Sequence, residues 1–362
     1  MIATGADVHV AAADISSDTA TVDTLTAMGV TYHDIPFERA GMNPVRDLRS
    51  MWYALTLMRK LKPDVFIGYT IKPVVFGAIA AKLARVPQRI AMITGLGFAF
   101  TSGESKKRLL ANRLARLLYW VALRSVDTAL FQNPDDRQLF KEAKLVPTKL
   151  RTAIINGSGV DLKFFEATGL PSAPTKFLMI ARLLGDKGVR EFAEAASIMR
   201  KESSDLEFHL AGGLDPNPDA IALDEVEGWV QNNTIIWHGH VDDVRSLLKG
   251  CHVYVLPSYR EGTPRTVLEA MATGRAIITT DAPGCRETTI HGENGYLVPV
   301  KSVDALVDAM SNFVDKPDLV QEMGQASLVL VRKKFEKGQV ARSIVKEIGV
   351  LGAQILPSSA RD

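Results

Sequence analysis

Apolar segments of strand length alternate with amphipathic segments of helical period along nearly the whole chain. Strands separated by helices of this length form a parallel sheet with helices on both faces. The alternation stops at a cluster that contains Gly169, Pro171, Ser172 and Pro174, and then begins again. The sequence therefore predicts an α/β protein of two Rossmann-like, doubly wound domains that face each other across a cleft.

Domain boundaries follow from the same pattern. We expect residues 1–165 to form the first domain and residues 166–330 the second, each of ordinary domain size. Residues 331–362 are predicted to be a helix and a tail that can pack back on the first domain. Further predicted segments are the helices Glu104–Val126, Val241–Leu248 and Asp318–Gly349, and a frayed tail from Ile355.

The start of the chain does not read as the start of such a domain. Met1–Gly5 resembles the end of a helix and its glycine stop, and the first strand, within Ala6–Ala13, has the features of a second strand. The first strand of a doubly wound sheet is central. We therefore expect the first domain to lack its first strand and helix, about 20 residues. The empty position of that strand in the sheet would leave the backbone N–H and C=O groups of its neighbours unpaired, which is costly.

Composition limits the class of protein. An apolar content of 46% with 23% charged residues is typical of a soluble globular protein. Cys251 and Cys285 form neither a disulfide framework nor a metal-ligand spacing, which favours a reducing compartment. No apolar run reaches the roughly 18 residues of a transmembrane helix, and no basic-then-apolar start predicts a secretion signal.

Charge is divided unequally along the chain. Residues 1–165 carry 22 Lys and Arg against 14 Asp and Glu, a net charge of +8, and the remainder has a net charge of −6. Two basic helical stretches, Val45–Lys62 and Lys106–Arg124, also carry Trp and Tyr. Such helices suit the anionic face of a membrane, although core helices with solvated cations would look the same. Nucleic acid is disfavoured because no recognised binding motif accompanies the charge.

The run from Ser258 to Gly274 has the strongest chemical signal. Cys251–Leu256 predicts a buried strand before it. Gly262 opens a turn, Thr263 can cap a helix, and Pro264 suits the first helical position. The free amides and the positive end of the helix dipole favour an anion such as a diphosphate at this place.

Two carboxylates flank this predicted anion site, Glu261 in the loop and Glu269 in the second turn of the helix. Acids beside an anion site are useful if they bind hydroxyl groups, because they would repel phosphate. A sugar nucleotide presents both hydroxyls and a diphosphate. The alternative is an ordinary strand–turn–helix with two solvated glutamates, and spacing alone does not decide between them.

Cations follow another strand of the same domain. Arg182 and Lys187 could both reach a diphosphate, although such cations are often only solvated. Their loop lacks the glycine spacing of a P-loop. Gly212 follows the next strand, at the carboxyl end where ligands bind in such sheets. His238 and His240 have no third metal ligand nearby, so we expect a structural or base-contacting role.

Glycine loops also end two strands of the first half, at Gly95-Leu-Gly97 and at Asn156-Gly-Ser158. Phe100 stands where a dinucleotide fingerprint needs its third glycine, so an NAD dehydrogenase fits poorly. Each loop could approach a substrate closely, and each could equally be a plain connection.

These motifs resemble the fourth family of retaining glycosyltransferases, which have the GT-B fold, over nearly the whole chain. Glu261 and Glu269 match the paired glutamates of that family, and Arg182 and Lys187 match its donor-phosphate cations. Two departures are a missing cleft histidine near Thr94–Leu96 and the missing first glycine loop. Segments similar to the branch that acts on polyprenyl-diphosphate-linked sugars, in capsule or O-antigen assembly, are Tyr69–Pro73, Ile93–Gly97 and Ile155–Asp161.

The resemblance implies a nucleotide sugar, with UDP as the expected nucleotide, in the second domain. Arg182 and Lys187 would stabilise the leaving diphosphate, and Glu261 would contact sugar hydroxyls. The other implied donor-binding residues are Gly212, Val241, Gly262, Thr263, Pro264, Arg265 and Glu269. The implied acceptor residues in the cleft are Lys72, Thr94, Gly95, Gly97, Asn156 and Ser158.

The expected activity is therefore transfer of a hexose or N-acetylhexosamine from a UDP-sugar to a lipid-diphosphate-linked saccharide. We expect retention of anomeric configuration, no metal or other cofactor, and a cytoplasmic location on the inner face of the membrane. A sugar-nucleotide epimerase would need acid–base residues beyond Glu261, and none stands out. A non-catalytic sugar-nucleotide-binding protein is a further alternative, because the first domain is expected to be incomplete.

Overall fold

The structure, a computed structural model, describes residues 2, 5–37, 43–95, 106–203, 205–217 and 219–349. The chain forms two compact units. Unit 1 comprises residues 1–131, 136–155 and 342–362, and unit 2 comprises residues 132–135 and 156–341. The chain thus enters unit 2 at Asn156. Gly97 and the predicted frayed tail from Ile355 lie outside the described residues.

Unit 1 contains short parallel strands joined by helices. The strands are β1 (His9–Ala12), β2 (Thr31–Asp34), β3 (Val65–Tyr69), β4 (Gln88–Ile93), β5 (Thr128–Phe131) and β6 (Arg151–Ile154). The helices are α1 (Thr19–Ala27), α2 (Pro44–Leu61), α3 (Ala78–Leu83), α4 (Lys106–Leu123) and α5 (Pro134–Glu142), and a π-helical turn over Pro73–Gly77 precedes α3.

The strands of unit 1 form two parallel sheets. β1 pairs with β2, and the other sheet has the order β3-β4-β5-β6. One edge of β1 and one edge of β3 therefore pair with no strand of the described residues. β1 is apolar in sequence, yet most of it is exposed, which is unusual for a strand of an α/β sheet. That a central strand precedes Met1 stays a prediction.

Local chemistry explains the ends of α2, the helix that carries one of the basic stretches. The Asn43 side chain accepts hydrogen bonds from the N–H groups of Val45 and Arg46, and Pro44 follows it at the first helical position. The helix ends where Lys62 adopts a left-handed conformation with φ of 50°. The sequence prediction of this helix is confirmed.

Unit 2 repeats the strand–helix pattern. Its strands are β7 (Thr175–Ile180), β8 (Leu206–Ala211), β9 (Ile236–Trp237), β10 (Val253–Leu256), β11 (Ala276–Thr280) and β12 (Gly295–Val298). The helices are α6 (Val189–Glu202), α7 (Leu223–Gln231), α8 (Arg245–Lys249), α9 (Arg265–Ala272), α10 (Val303–Asp315), α11 (Asp318–Lys334) and α12 (Lys337–Ile348), whose residues from Arg342 onward belong to unit 1.

All six strands of unit 2 form one parallel sheet in the order β12-β11-β10-β7-β8-β9. The strand order reverses between β7 and β10, which is the place where doubly wound sheets bind ligands. β10 and β11 are fully buried, and the rings of Phe177 and Phe208 stack 5.2 Å apart in the core. Cys251 and Cys285 are also buried, and burial raises the pKa of each thiol to about 12.

Two predicted helices are wrong in detail. The helix predicted over Val241–Leu248 begins only at Arg245, with Val244 as its N-cap residue. The Asp243 carboxylate accepts the Arg245 N–H, which holds the preceding residues in a turn. The helix predicted over Asp318–Gly349 is divided into α11 and α12. The break occurs because Val160 N–H donates to the Phe335 carbonyl while Lys337 N–H donates to the Val160 carbonyl, at 2.9 and 3.0 Å.

The end of α12 packs within unit 1. Ile348 is buried with Ile90 of β4 and Leu130 of β5, and Ile344 packs beside them. Arg151 of β6 forms an ion pair with Glu347 at 2.8 Å. The last described turns of the chain therefore cover one face of the four-stranded sheet.

Candidate functional site

Two loops meet at the carboxyl end of the unit 2 sheet. The cation loop, Ala181–Gly188, follows β7, and the glutamate loop, Pro257–Pro264, follows β10. The Tyr259 N–H donates to the Asp186 carbonyl at 2.9 Å. Gly188 has φ of 75°, and a Cβ there would lie 2.3 Å from the Pro257 carbonyl oxygen, so only glycine permits this approach.

A buried ion pair joins the two loops. Lys187 Nζ lies 2.6 Å from Glu261 Oε1, and the two side chains are 15% and 17% exposed. The Ser258 hydroxyl donates to the same oxygen at 2.8 Å. Within the described part of the chain, Oε2 of Glu261 accepts no hydrogen bond. The geometry thus holds the carboxylate through one oxygen only.

Lys187 is cationic in this environment. Burial is the largest single influence on its pKa and acts to lower it, but the charge and hydrogen bond of Glu261 and the charge of Asp186 together raise it. Asp186 shows the opposite balance, because burial raises the pKa of its carboxyl more than Lys187 lowers it. One oxygen of Asp186 is buried without a hydrogen-bond partner among the described residues. The loop therefore presents a fixed positive charge.

Arg182 differs from Lys187 in exposure. Its side chain is 66% exposed and lies 3.2 Å from Asp215 Oδ2. Its positive charge still reaches Lys187 and Asp186, where it offsets a small part of the rise in each pKa. The two predicted cations therefore share one loop, but only Lys187 is held in the interior.

Two expectations about the start of α9 are wrong. The helix begins at Arg265, and Pro264 is its N-cap residue with an extended ψ of 109°. The Thr263 hydroxyl does not cap the helix but donates to the Gln132 carbonyl at 3.4 Å. The segment Gln132–Asp135, which belongs to unit 2, contacts this loop through the Gln132 carbonyl and the Asn133 amide.

Glu269 lies on the buried face of α9. Burial raises the pKa of its carboxyl, and the charge of Arg265 offsets part of that rise. The nearest guanidinium nitrogen of Arg265 is 3.6 Å from Glu269 Oε1, and the arginine itself is exposed. A carboxylate in this position needs a hydrogen-bond donor from a ligand or from water.

Gly212 and Val241 lie at the ends of neighbouring strands. A Cβ on Gly212 would come within 1.8 Å of the Ala181 carbonyl oxygen, so the ends of β7 and β8 touch through this glycine. The Gly212 carbonyl accepts a hydrogen bond from Trp237 at 3.0 Å. Val241 packs against the core of unit 2, and His238 stacks on His209.

The predicted acceptor residues are divided between the units. In unit 1, Thr94 and Gly95 follow β4, and Lys72 pairs with Asp47 at 2.8 Å with both side chains largely buried. In unit 2, Asn156 donates to the Lys334 carbonyl at 3.1 Å, and Ser158 is exposed. Gly97 is not described. That these residues form one acceptor site stays a prediction.

Sequence reasoning missed three groups of this site. Ser258 stands three residues before Glu261, so the spacing itself was a usable signal. Asp186 precedes Lys187 and was equally visible. Asn133 carries no local signal, because its amide contacts the glutamate loop across 129 positions of sequence, with Nδ2 3.1 Å from the Gly262 carbonyl oxygen.

Among the described residues, no group of three or more His, Cys, Asp or Glu side chains is placed to hold a metal ion. Among the helices of that same part of the chain, none is both long enough and apolar enough to cross a membrane.

Two glycosyltransferase families match this sequence. Residues 174–316 match the family described as Glycosyl transferases group 1, and residues 1–133 match Glycosyl transferase 4-like. A Campylobacter jejuni relative, N,N'-diacetylbacillosaminyl-diphospho-undecaprenol alpha-1,3-N-acetylgalactosaminyltransferase, is 30% identical over 78% of this chain and 76% of its own. The Escherichia coli UDP-Gal:alpha-D-GlcNAc-diphosphoundecaprenol alpha-1,3-galactosyltransferase is 27% identical over 75% and 71%.

Solved structures agree in fold. A glycosyltransferase from Rickettsia africae has a TM-score of 0.74 at 18% identity, over 96% of this chain and 92% of that one. Anabaena HepE, crystallised with UDP-glucose, has a TM-score of 0.73 at 18% identity, over 92% and 90%. With the relatives above, these likenesses confirm the expected fold and family. The chain therefore is a glycosyltransferase of the GT-B fold, and it belongs to the group 1 and 4-like glycosyltransferases.

Proposed function

We propose that this glycosyltransferase moves a hexose or N-acetylhexosamine from a UDP-sugar to a saccharide carried on a lipid diphosphate. The observation that carries the proposal is the buried Lys187–Glu261 pair, which places a cation beside a carboxylate at the carboxyl end of the sheet. A sugar nucleotide needs both charges. Support for the lipid-linked acceptor comes from the printed activities of the Campylobacter and Escherichia relatives.

The donor would be held in unit 2 through three kinds of contact. Lys187 and Arg182 would face the diphosphate, together with the N–H groups that follow Glu261. The free oxygen of Glu261 would accept from a sugar hydroxyl. Glu269 would accept from the ribose hydroxyls, which would supply the donor that its buried carboxylate needs.

Transfer would proceed with retention on one face of the sugar. The bond between the anomeric carbon and the UDP oxygen breaks, a bond to the acceptor hydroxyl oxygen forms, and the proton of that hydroxyl passes to the leaving diphosphate. The reaction needs no nucleophile from the protein. Lys187 lowers the barrier because the charge that it faces grows during bond breaking.

We also propose that the reaction requires no metal, since the two cations of the loop supply the charge that a metal would bring. Activity should then be unchanged by a chelator such as EDTA and unchanged by added Mg²⁺ or Mn²⁺. A loss of activity in EDTA that Mg²⁺ restores would contradict this part of the proposal.

The acceptor lipid would bring the enzyme to the inner face of the cytoplasmic membrane. On α2, Val45, Leu48 and Trp52 are 78%, 60% and 64% exposed and lie on one stripe. Arg49, Arg59 and Lys60 belong to the same helix.

Helix α4 shows the same combination. Its exposed apolar residues Leu114, Leu117, Trp120 and Val121 occur among Arg113, Arg116 and Arg124. Apolar and basic side chains together suit an anionic membrane.

Vesicle sedimentation tests the membrane part. We expect binding to vesicles of phosphatidylglycerol, weaker binding to phosphatidylcholine, and a loss of roughly 10-fold for a Leu48→Ser, Trp52→Ser double variant. Val329→Ser is the matched control, because Val329 is an exposed apolar residue of unit 2. Equal sedimentation of the double variant and the control would contradict the surface assignment.

A donor screen tests the activity itself. UDP-sugars are incubated with undecaprenyl-diphosphate-linked N-acetylhexosamine, and the product is analysed by mass spectrometry and by NMR of the new anomeric centre. We expect one UDP-hexose or UDP-N-acetylhexosamine to extend the acceptor with its configuration retained. An inverted product would overturn the proposed route, and binding of donors without transfer or hydrolysis would overturn the activity.

A further inference from the structure

The glutamate loop is held by a segment far away in sequence. Gln132–Asp135 belongs to unit 2, although the residues on both sides of it belong to unit 1. Asn133 is fully buried, and its Nδ2 lies 3.1 Å from the Gly262 carbonyl oxygen and 3.4 Å from the Glu261 carbonyl oxygen. One amide group therefore faces two successive carbonyls of the loop.

The direction of these two carbonyls fixes the direction of the N–H groups of Gly262 and Thr263. In a trans peptide, the carbonyl of one residue and the N–H of the next point in opposite directions. Asn133 draws the carbonyls of Glu261 and Gly262 toward itself, so the N–H groups of Gly262 and Thr263 point away from it. No described backbone carbonyl accepts a hydrogen bond from either N–H group.

The carbonyl side of the loop is closed by close packing. Gly284 has φ of 81°, and a Cβ there would lie 2.1 Å from the Glu261 carbonyl oxygen and 2.7 Å from that of Gly262. The Glu261 N–H donates to the Pro283 carbonyl at 2.9 Å. The loop can therefore present the N–H groups of Gly262 and Thr263 only on the side away from Asn133.

We propose that Asn133 is a positioning residue for the donor, because it orients the N–H groups of Gly262 and Thr263 toward the diphosphate. The inference rests on the proposed function, which places the diphosphate at these N–H groups. Asn133 itself touches no substrate. Its removal should weaken the diphosphate contacts and leave the contacts of the nucleoside unchanged.

Calorimetric binding of UDP and of uridine to the full chain separates these two effects. For Asn133→Ala we expect the Kd of UDP to rise about 10-fold, the scale of two neutral hydrogen bonds, with the Kd of uridine unchanged within about 2-fold. Asn133→Leu restores volume without restoring the donor and should behave in the same way, so either folded variant decides the question.

Asn294→Ala is the matched control. Asn294 is also buried in unit 2 and donates to a carbonyl, that of Thr288, at 3.3 Å. We expect this variant to be less stable but to keep the UDP-to-uridine affinity ratio of the unaltered chain. If the Asn133 variants bind UDP normally, or lose UDP and uridine by the same factor, the positioning role is wrong while the proposed function stands. If the unaltered chain binds no UDP, both are wrong.

Discussion

Unit 2 joins six parallel strands into one sheet, whereas the strands of unit 1 form a pair and a separate set of four. In unit 2 the reversal of strand order between β7 and β10 brings the cation loop and the glutamate loop side by side. The described strands of unit 1 contain no hydrogen-bonded reversal of this kind. Both units alternate strands and helices. In unit 2, where the sheet is continuous, this alternation produces a charged site, whereas in unit 1, where the strands form two sheets, it leaves strand β1 exposed.

The burial of the strands follows the same division. β10 and β11 are covered completely, while β1 exposes most of its length. Since local opening depends on buried contacts, the two sheets should differ in dynamics as well as in chemistry. Four measurements test whether the two units differ in this way.

Hydrogen exchange is the most direct of these measurements. Amides of β10 and β11 should be protected at least ~1000-fold more than those of β1 and β2, because local opening of an exposed pair of strands costs little free energy. Mass spectrometry of peptides that cover His9–Asp34 and Val253–Thr280 measures the difference. Similar protection in the two segments would show that the division of the unit 1 sheet has no dynamic consequence.

Each unit has a largely buried lysine–carboxylate pair, Lys187–Glu261 in unit 2 and Lys72–Asp47 in unit 1. Substitution of each lysine tests whether the two units have different roles in the reaction. Lys187→Ala should lower turnover by roughly 100-fold or more, the scale for losing one charge-stabilising group. Lys72→Ala, which breaks the Lys72–Asp47 pair of unit 1, should instead raise the KM of the acceptor and leave the KM of the donor unchanged. Steady-state kinetics on the purified variants separates the two effects.

Lys176→Ala is the control for these lysines, since Lys176 pairs with Glu207 at 2.9 Å away from the Lys187 loop. It should keep normal kinetics. Near-normal turnover of a folded Lys187→Ala variant would reject the role of that cation.

Each unit contains a glycine in the left-handed backbone conformation, and alanine substitutions at the two positions test how tightly each unit is packed there. Gly188 and Gly29 have φ of 75° and 71°, but a Cβ on Gly29 would meet nothing within 4 Å. Gly29→Ala should therefore cost about 1–2 kcal/mol of unfolding free energy from backbone strain alone, whereas Gly188→Ala should cost more than about 4 kcal/mol. Urea denaturation measures both. Equal costs would mean that the approach of Gly188 to Pro257 relaxes easily.

Each unit contains a pair of histidines in or directly after neighbouring strands. His9 and His33 in unit 1, and His209 and His238 in unit 2, each approach to 2.9 Å between ring nitrogens. Burial lowers the pKa of His33 and of His238. Each unfolded histidine binds its proton at higher pH than the folded one, so stability is complete above pH 6.5 and declines as the pH falls below it.

This is the smallest of the four effects, because both pairs are partly exposed. Melting temperatures at pH 7.5 and pH 5.5 should show a modest fall, which His33→Asn and His238→Asn should each reduce. A fall of the same size in the double variant would assign the acid sensitivity to other groups.

Much of this architecture was predictable, because its signals are local. The strand predicted over Cys251–Leu256 is confirmed as Val253–Leu256, since an apolar, β-branched run that ends before Pro257 identifies it. Glu261 and Lys187 were identifiable as candidates from chemistry and resemblance. Their direct contact was not, since it depends on the order of strands in the sheet.

What escaped prediction depends on distant segments. Thr263 had the composition of a helix cap, yet the Gln132 carbonyl takes its hydroxyl. The helix predicted from Asp318 to Gly349 is broken by Val160. In each case a residue more than a hundred positions away forms a hydrogen bond with the group in question. The periodicity of the sequence does not reveal such distant partners.

The burial of both cysteines has a practical consequence. Cys251 and Cys285 are fully buried with thiol pKa values near 12, raised by burial, and thiolates are the species that react with alkylating reagents. The folded enzyme is therefore close to a blank background for labelling. A single cysteine introduced at Trp52 or at Val329 could carry a fluorophore or spin label without removal of the native thiols.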